Sequence, residues 1–381
     1  MLNIHLCDNE KFIDVAFQKF ETFYPNSNYF FIHGKKSFDS ELSKKERYSV
    51  IDLRDKSNSR YIQKFIFSKL SGKKVNINIF IHYLDPKKAN LVNSLTKEFE
   101  FKLYWIFYGS DLYTILYNKG LYELYDNDLG ASLKQTLKKE KRKIYNFFSR
   151  YSGNKAIQKT ISSLDFFCFW NELDFKLLQS NFDTDARFKF FRYGIIGQEL
   201  FDEKYFFSEK EFLLVNHSGS KSGNHLRVLK KLRDLRIHKG KHRLYVPLSY
   251  GDQENINITH SFCLKNFQDV YTPLLEFCPK EDYYWFLSKV KVAFFGHRRQ
   301  EGGGNINFLL STGCKVYLRE SSNLFEFYRN LGIKVFSFEK ELSNEGDLEI
   351  LDQSTQFINR ERLLDFFSDK NLVQSYSELI E

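Results

Sequence analysis

Two glycine-rich loops, each set between a short apolar run and a helical pattern, hold the residues best suited to chemistry in this chain. The first is His217-Ser-Gly-Ser-Lys-Ser-Gly-Asn-His225, directly after Phe212-Leu-Leu-Val215. The small residues around Ser218, Gly219 and Ser222 let a backbone approach a phosphate closely. The helix behind them offers free N–H groups and a positive dipole end, and Lys221 adds a point charge. The order is not G-x-x-x-x-G-K-[ST], which argues against a P-loop ATPase. A flexible turn is the plain alternative. The second loop is Gly296-His-Arg-Arg-Gln-Glu-Gly-Gly-Gly-Asn305, after Lys291-Val-Ala-Phe-Phe295. Three consecutive glycines before a helix suggest an anion nest. Arg298 and Arg299 can pair with a diphosphate in bidentate fashion. Two such loops at one sheet edge favour a nucleotide-diphosphate ligand.

Two further strand-end loops carry titratable groups. In Tyr108-Gly-Ser-Asp-Leu-Tyr113, Asp111 can serve as general base for an acceptor hydroxyl, or equally as a helix N-cap. In Ile81-His-Tyr-Leu-Asp-Pro86, His82 can contact a ligand or satisfy a backbone carbonyl. Asp126-Asn-Asp128 and Asp183-Thr-Asp185 have the D-x-D form that can hold a divalent cation, but neither follows a hydrophobic strand and both read as turns. His217, His225, His238 and His242 do not make a zinc-ligand spacing. No metal and no cofactor are expected.

The elements that must position these loops alternate strand and helix. In the second half, strands are expected at Phe212–Val215, Leu244–Leu248, Tyr271–Phe277, Lys291–Phe295, Lys315–Leu318 and Ile333–Phe338, with helices between them. The first half repeats the theme at Leu2–Leu6, Tyr29–His33, Val75–His82, Phe101–Phe107, Leu164–Phe169 and Phe188–Arg192. This argues for α/β architecture with parallel, doubly wound sheets. Two Rossmann-like domains are expected, over residues 1–200 and 201–358, facing an interdomain cleft, followed by a C-terminal helix over 359–381. Ligands of such sheets bind beyond the carboxyl ends of the strands.

Composition bounds the class. With 381 residues the chain is long enough for two domains, and 42% apolar and 18% aromatic residues exclude a disordered chain. No apolar stretch is long enough to span a membrane. The opening residues lack the basic region and apolar run of a signal peptide, and the five cysteines are scattered, so a reduced, cytoplasmic protein is expected. The net charge of +9 is uneven. Glu339 to Glu381 holds eleven acidic and four basic residues, which leaves +16 on the rest. Residues 134–150 hold seven basic residues and one acidic, with Leu137, Ile144, Phe147 and Phe148 roughly on one helical face. That is the pattern of a basic amphipathic helix, able to lie on an anionic membrane through Lys138, Lys139, Lys141, Arg142 and Lys143. A solvated helix face is the alternative. No RNA-binding motif accompanies the block, so nucleic acid is not an expected partner.

Several of these segments, taken in order, match a known pattern. Tyr104-Trp-Ile-Phe-Tyr-Gly-Ser-Asp-Leu-Tyr113, Leu214-Val-Asn-His-Ser-Gly-Ser-Lys-Ser-Gly-Asn-His225, Val246-Pro-Leu-Ser-Tyr-Gly251 and Arg299-Gln-Glu-Gly-Gly-Gly-Asn305, with Gly313 closing the helix, are collinear with it. The chain resembles the bacterial Fuc4NAc (4-acetamido-4,6-dideoxygalactose) transferases, glycosyltransferase family 56, from about Val75 to Gly332. It departs at Gly302-Gly-Gly304, where the family has Gly-Ile-Gly, and in carrying Arg298 and Glu301 beside it. These departures leave the donor open.

The resemblance implies a GT-B fold and a metal-independent glycosyltransferase. The C-terminal domain would bind a dTDP- or UDP-sugar, and the N-terminal domain a polyprenyl-diphosphate-linked acceptor at the inner face of the cytoplasmic membrane. Ser218, Gly219, Lys221 and Ser222 would sit by the donor diphosphate. Arg299, Gln300, Gly303, Gly304 and Asn305 would approach the diphosphate or the sugar, and Tyr250 and Gly251 the nucleoside. Asp111 falls on the family's Gly-x-Asp-Leu-Tyr motif and His82 on a family histidine, which makes them first and second candidates for the catalytic base. The rivals are a GT-B enzyme with a soluble glycan or protein acceptor, and a non-catalytic nucleotide-sugar or polyanion-binding protein.

Overall fold

The computed structural model describes residues 1–10, 12–34, 48–53, 55–70, 75–126, 154–193, 202–237 and 242–381. They form two compact units. Among the described residues the first takes 1–121, 154–193 and 369–381, and the second takes 122–126 and 202–368.

The first unit runs β1 (Leu2–Asp8), α1 (Ile13–Phe23), β2 (Asn28–His33), β3 (Tyr48–Ile51), α2 (Lys56–Leu70), β4 (Ile77–His82), α3 (Pro86–Leu95), β5 (Lys102–Ile106) and α4 (Asp111–Lys119). A helix over 154–162 (α5) precedes β6 (Phe166–Phe169), α6 (Glu172–Gln179) and β7 (Arg187–Phe190). The seven strands are parallel, in the order β3-β2-β1-β4-β5-β6-β7. β4 and β6 are buried at every position, which is why they read as near-continuous apolar runs. The polar exceptions are in register: Asn3 faces Asn28 on one side and Asn78 on the other. His5, two residues on, is stacked between Phe30 at 4.1 Å and Phe80 at 4.8 Å. Pro86 opens α3 at a position where its missing N–H costs nothing, and Asp85 caps it by accepting from Lys87 N at 2.7 Å and Lys88 N at 3.0 Å.

The second unit runs α7 (Glu203–Phe206), β8 (Phe212–Val215), α8 (His225–Asp234), β9 (Leu244–Pro247), α9 (Gln253–Phe267), β10 (Tyr271–Leu274), α10 (Lys280–Ser288), β11 (Val290–Phe295), α11 (Gly303–Ser311), β12 (Lys315–Leu318), α12 (Asn323–Asn330), β13 (Phe336–Ser337) and α13 (Gln353–Phe366). Its six strands are parallel in the order β10-β9-β8-β11-β12-β13. All six expected strands are present, the last reduced to two residues.

The C-terminal stretch is two helices instead of one. α13 ends at Phe366, and α14 (Asp369–Ser377) starts afresh with Asp369 in its first turn, favourable to the helix dipole. α14 belongs to the first unit, where Tyr376 is buried and stacks on Phe23 at 4.8 Å. Glu381 closes that unit through Arg187 at 2.5 Å and Lys189 at 2.8 Å. Among the described residues, no helix is long and apolar enough to cross a membrane.

Candidate active site

In the second sheet β8 and β11 are neighbours, and the chain leaves them toward opposite edges. That reversal opens a crevice beyond their carboxyl ends. The two glycine loops are the segments that emerge there. Asn216 joins them. It is buried, its φ of +58° turns the chain sharply after β8, and asparagine tolerates that left-handed region better than most residues. Its Oδ1 accepts from Gly296 N at 3.1 Å and its Nδ2 donates to Gly223 O at 3.0 Å. A third loop is clamped on the other side. Gly219 N donates to Tyr250 O at 2.8 Å, and Asp252 N to Gly219 O at 3.2 Å. Gly251, at φ +134°, lies so close that a Cβ there would sit 2.3 Å from the carbonyl carbon of Gly219.

Side chains of the crevice then meet. Ser222 Oγ donates to Glu301 Oε2 at 2.5 Å, and Arg299 Nη2 reaches both Ser222 Oγ at 3.2 Å and Glu301 Oε2 at 3.0 Å. Ser218 is buried, with its hydroxyl 2.9 Å from Ser220 Oγ. Gln300 is buried, and its Oε1 has no partner among the described residues. α11 begins at Gly303 behind Gly302 in the left-handed region, with no side chain capping its first turn. Gly303, Gly304 and Asn305 therefore present open N–H groups at a positive dipole end. The structure thus gathers Ser218, Gly219, Ser222, Tyr250, Gly251, Arg299 and the start of α11 around one crevice. Lys221 lies to one side, 5.1 Å from the Tyr125 ring, by a small cavity lined also by Asp126, Asn224 and Asn255.

Arg298 departs from its expected role. Its guanidinium holds Asp126 at 2.8 and 2.9 Å, and Arg319 takes the second oxygen at 2.5 Å. Two arginines thus occupy the carboxylate of the first D-x-D, while Asp183 and Asp185 of the second are exposed in the irregular stretch before β7. Asp128, His238 and the five basic residues from Lys138 to Lys143 lie outside the described residues.

In the first unit, both expected catalytic groups are enclosed. Asp111 is 1% exposed, and its carboxylate accepts from Leu84 N at 3.0 Å, Trp105 Nε1 at 2.7 Å and Tyr108 N at 3.2 Å. It ties the loops after β4 and β5 together. Burial pushes its carboxyl up to about 6 against those donors. An unfolded aspartate titrates near 3.8, so the folded chain holds this proton more tightly. The stability so gained is complete below that value and is lost as pH rises through about 6. The stability difference between the wild-type chain and Asp111→Asn is expected to move toward the wild type by about 3 kcal/mol on acidification from neutral pH to the unfolded-state range. Urea titrations of both chains at the two pH values check this. Asparagine does not titrate, so a difference that stays constant with pH would refute the shift.

His82 is also 1% exposed and sits inside a hydrogen-bonded chain. Asn28 sets its direction. The Asn28 amide nitrogen is committed to Phe20 O, Glu21 Oε1 and Tyr24 O, which leaves its Oδ1 as acceptor for His5 Nε2 at 3.4 Å. His5 Nδ1 must then accept from His82 Nε2 at 3.0 Å, and His82 Nδ1 from the Tyr193 hydroxyl at 2.5 Å. Tyr108 Oη lies 3.0 Å beyond Tyr193 Oη. Burial pulls both imidazoles down, His5 to about 3 and His82 well below its ordinary value, so both are neutral at neutral pH. His82 therefore has both nitrogens engaged and reaches the strand-end edge only through Tyr193 and Tyr108.

Sequence reasoning did not single out Asn216, Tyr193 or His297, and it noted Glu301 only as a departure beside the glycine run. Only Asn216 left a local signal, an asparagine directly after a buried strand and before a glycine loop.

The chain aligns over nearly its whole length with solved structures of a sucrose-phosphate synthase and of glycosyltransferases. Sucrose-phosphate synthase from Thermosynechococcus elongatus matches with a TM-score of 0.61 at 10% identity, over 100% of this chain and 98% of that one. The fold is GT-B. A glycosyltransferase from Rickettsia africae matches at 0.61 and 14% identity, over 99% of this chain and 97% of the other. WaaG, a glycosyltransferase involved in lipopolysaccharide biosynthesis, matches at 0.53 and 10%, over 99% and 98%. At these identities the likeness is one of fold. No protein-family model and no curated protein sequence matches this chain.

Proposed function

We propose that this chain is a glycosyltransferase. It moves a deoxy-amino sugar of the Fuc4NAc kind from a dTDP- or UDP-sugar to a polyprenyl-diphosphate-linked glycan in bacterial surface polysaccharide synthesis. The observation that carries the reading is the crevice at the β8/β11 reversal, where Asn216 fastens two glycine loops together beside an uncapped helix start. The GT-B fold over the whole chain supports it, and the family 56 motifs quoted above supply the finer donor and acceptor classes. The acceptor hydroxyl attacks the anomeric carbon as the bond to the diphosphate oxygen breaks, and the hydroxyl proton passes to the departing diphosphate. Charge growing on the diphosphate is met by the first N–H groups of α11 and by Arg299. Tyr250, 44% exposed and stacked on Phe277 at 5.5 Å, offers the nucleoside a flat apolar face. Asp111 and His82 serve as positioning residues of the acceptor edge, Asp111 by holding the Leu84 and Tyr108 backbones and His82 through Tyr193.

Thermal unfolding with dTDP, UDP, GDP and ADP tests the donor site. A nucleotide at a hundredfold excess over its Kd is expected to add about 2.7 kcal/mol. Arg299→Ala should weaken the preferred nucleotide about 10- to 100-fold, the worth of one charged hydrogen-bonded contact. No shift with any of the four overturns the donor site. Binding without turnover favours a non-catalytic protein, and turnover on a lipid-free acceptor favours a soluble glycan. The basic block at 134–150 docks the chain on the inner face of the cytoplasmic membrane. Retention on anionic liposomes at low salt, lost at high salt, is the expected result.

A further inference from the structure

We infer that the second unit holds a divalent-cation site made by His217, His297 and Glu301. It goes beyond the proposed donor chemistry and does not depend on it. His217 comes from the loop after β8, and His297 and Glu301 from the loop after β11, so the β8/β11 reversal brings together groups about eighty positions apart in sequence. One ligand atom from each lies within 4.8 Å of the other two, and His297 Nε2 is 4.0 Å from Glu301 Oε2. An ion bound at about 2.0–2.2 Å from each would need them only about 1 Å closer, within reach of side-chain rotation.

The second observation is the state of His297. It is 2% exposed, yet neither ring nitrogen has a hydrogen-bond partner among the described residues. A buried imidazole normally finds one, and a carboxylate 4.0 Å away is too distant to serve. Arg299 and Ser222 both engage Oε2 of Glu301 and hold its carboxylate at the crevice. Gly302 is what admits His217, because a Cβ there would stand 2.9 Å from its Nδ1. Two imidazoles and one carboxylate suit zinc or another late first-row divalent cation in preference to magnesium or calcium.

Cobalt(II) titration of the full chain, purified through EDTA and followed by visible absorption, tests the site without any nucleotide. The expected result is one cobalt per chain with the intensified bands of a four- or five-coordinate ion, displaced by zinc. His297→Gln and Glu301→Gln should each weaken binding by more than about tenfold, while His242→Gln leaves it unchanged. Where His297→Gln fails to fold, His217→Gln, at the more exposed ligand, carries the same test. Binding that is absent, or equally strong in the ligand variants and the wild type, overturns the site and leaves the cluster as hydrogen-bonding groups for a sugar or water. A nucleotide shift that survives EDTA while cobalt binds as described would leave both readings standing as separate properties.

Discussion

Asp126→Ala is expected to destabilise the second unit by about 3–5 kcal/mol, because it strips a buried guanidinium of its main partner. Arg319 is 2% exposed. Its Nη2 rests on Asp126 at 2.5 Å, its Nη1 on Glu339 at 3.3 Å and its Nε on Gly296 O at 2.9 Å. Without Asp126 it keeps one long carboxylate contact and one carbonyl. Arg298, held by the same carboxylate, loses its nearer partner and keeps only Glu123 at 3.8 Å. The loss should appear as a lower denaturant midpoint with an unchanged slope, and salt should alter it little because the pair is shielded from solvent. Adding Arg319→Met is expected to restore much of the stability, since the cost lies in the orphaned charge. A single-variant cost under about 1 kcal/mol would place the pair with ordinary exposed ion pairs. The effect reaches the crevice, since Arg319 anchors Gly296 O and Asp126 N donates to Asn224 Oδ1 at 2.8 Å. Nucleotide affinity should fall with stability.

This network also shows where reading the sequence stops. The strands of the second unit were legible because a strand buried on both faces is an apolar run, and glycines or a proline punctuate each one. β3 was not, because Tyr48-Ser-Val-Ile51 is a four-residue edge strand with no such run. Ile333–Phe338 read as a full strand, yet only Phe336–Ser337 pair. The glycine loops were legible as loops, and their convergence follows from strand order. What no local pattern encodes is partner choice. Arg298 looked free to meet a diphosphate, but its partner is 172 positions earlier in the chain. Asp111 was legible as a special residue at a helix start, but not as an enclosed one, since Leu84 N comes from the neighbouring strand's loop. His82 likewise depends on His5, 77 positions away. The same limit hid His297, whose neighbour His217 is 80 positions earlier in the chain.

Gly296→Ala is the second large effect, and its pairing with Gly304→Ala separates architecture from ligand contact. A Cβ at Gly296 would meet Gly223 O at 2.5 Å and Asn224 O at 3.0 Å, where ordinary contact begins at 3.4 Å. Both are backbone atoms and cannot rotate away, so the two loops must part by about 1 Å, at a cost of about 1–3 kcal/mol. Parting them stretches both hydrogen bonds of Asn216 and shifts Ser222 from Arg299 and Glu301. A displacement of that size is expected to lower transfer activity about a hundredfold. Gly304 is the opposite case. A Cβ there meets nothing within 4 Å, and it lies in the first turn of α11, where alanine favours the helix. Gly304→Ala should therefore leave stability equal or slightly raised, by up to about 1 kcal/mol. If a diphosphate closes on the start of α11, the added methyl should still weaken nucleotide binding. Denaturation and nucleotide titration of both variants make the comparison. Nucleotide affinity unchanged in Gly304→Ala would move the diphosphate away from α11 and toward the Ser218–Ser222 loop, whereas a stable Gly296→Ala chain with full activity would show that the two loops need not touch.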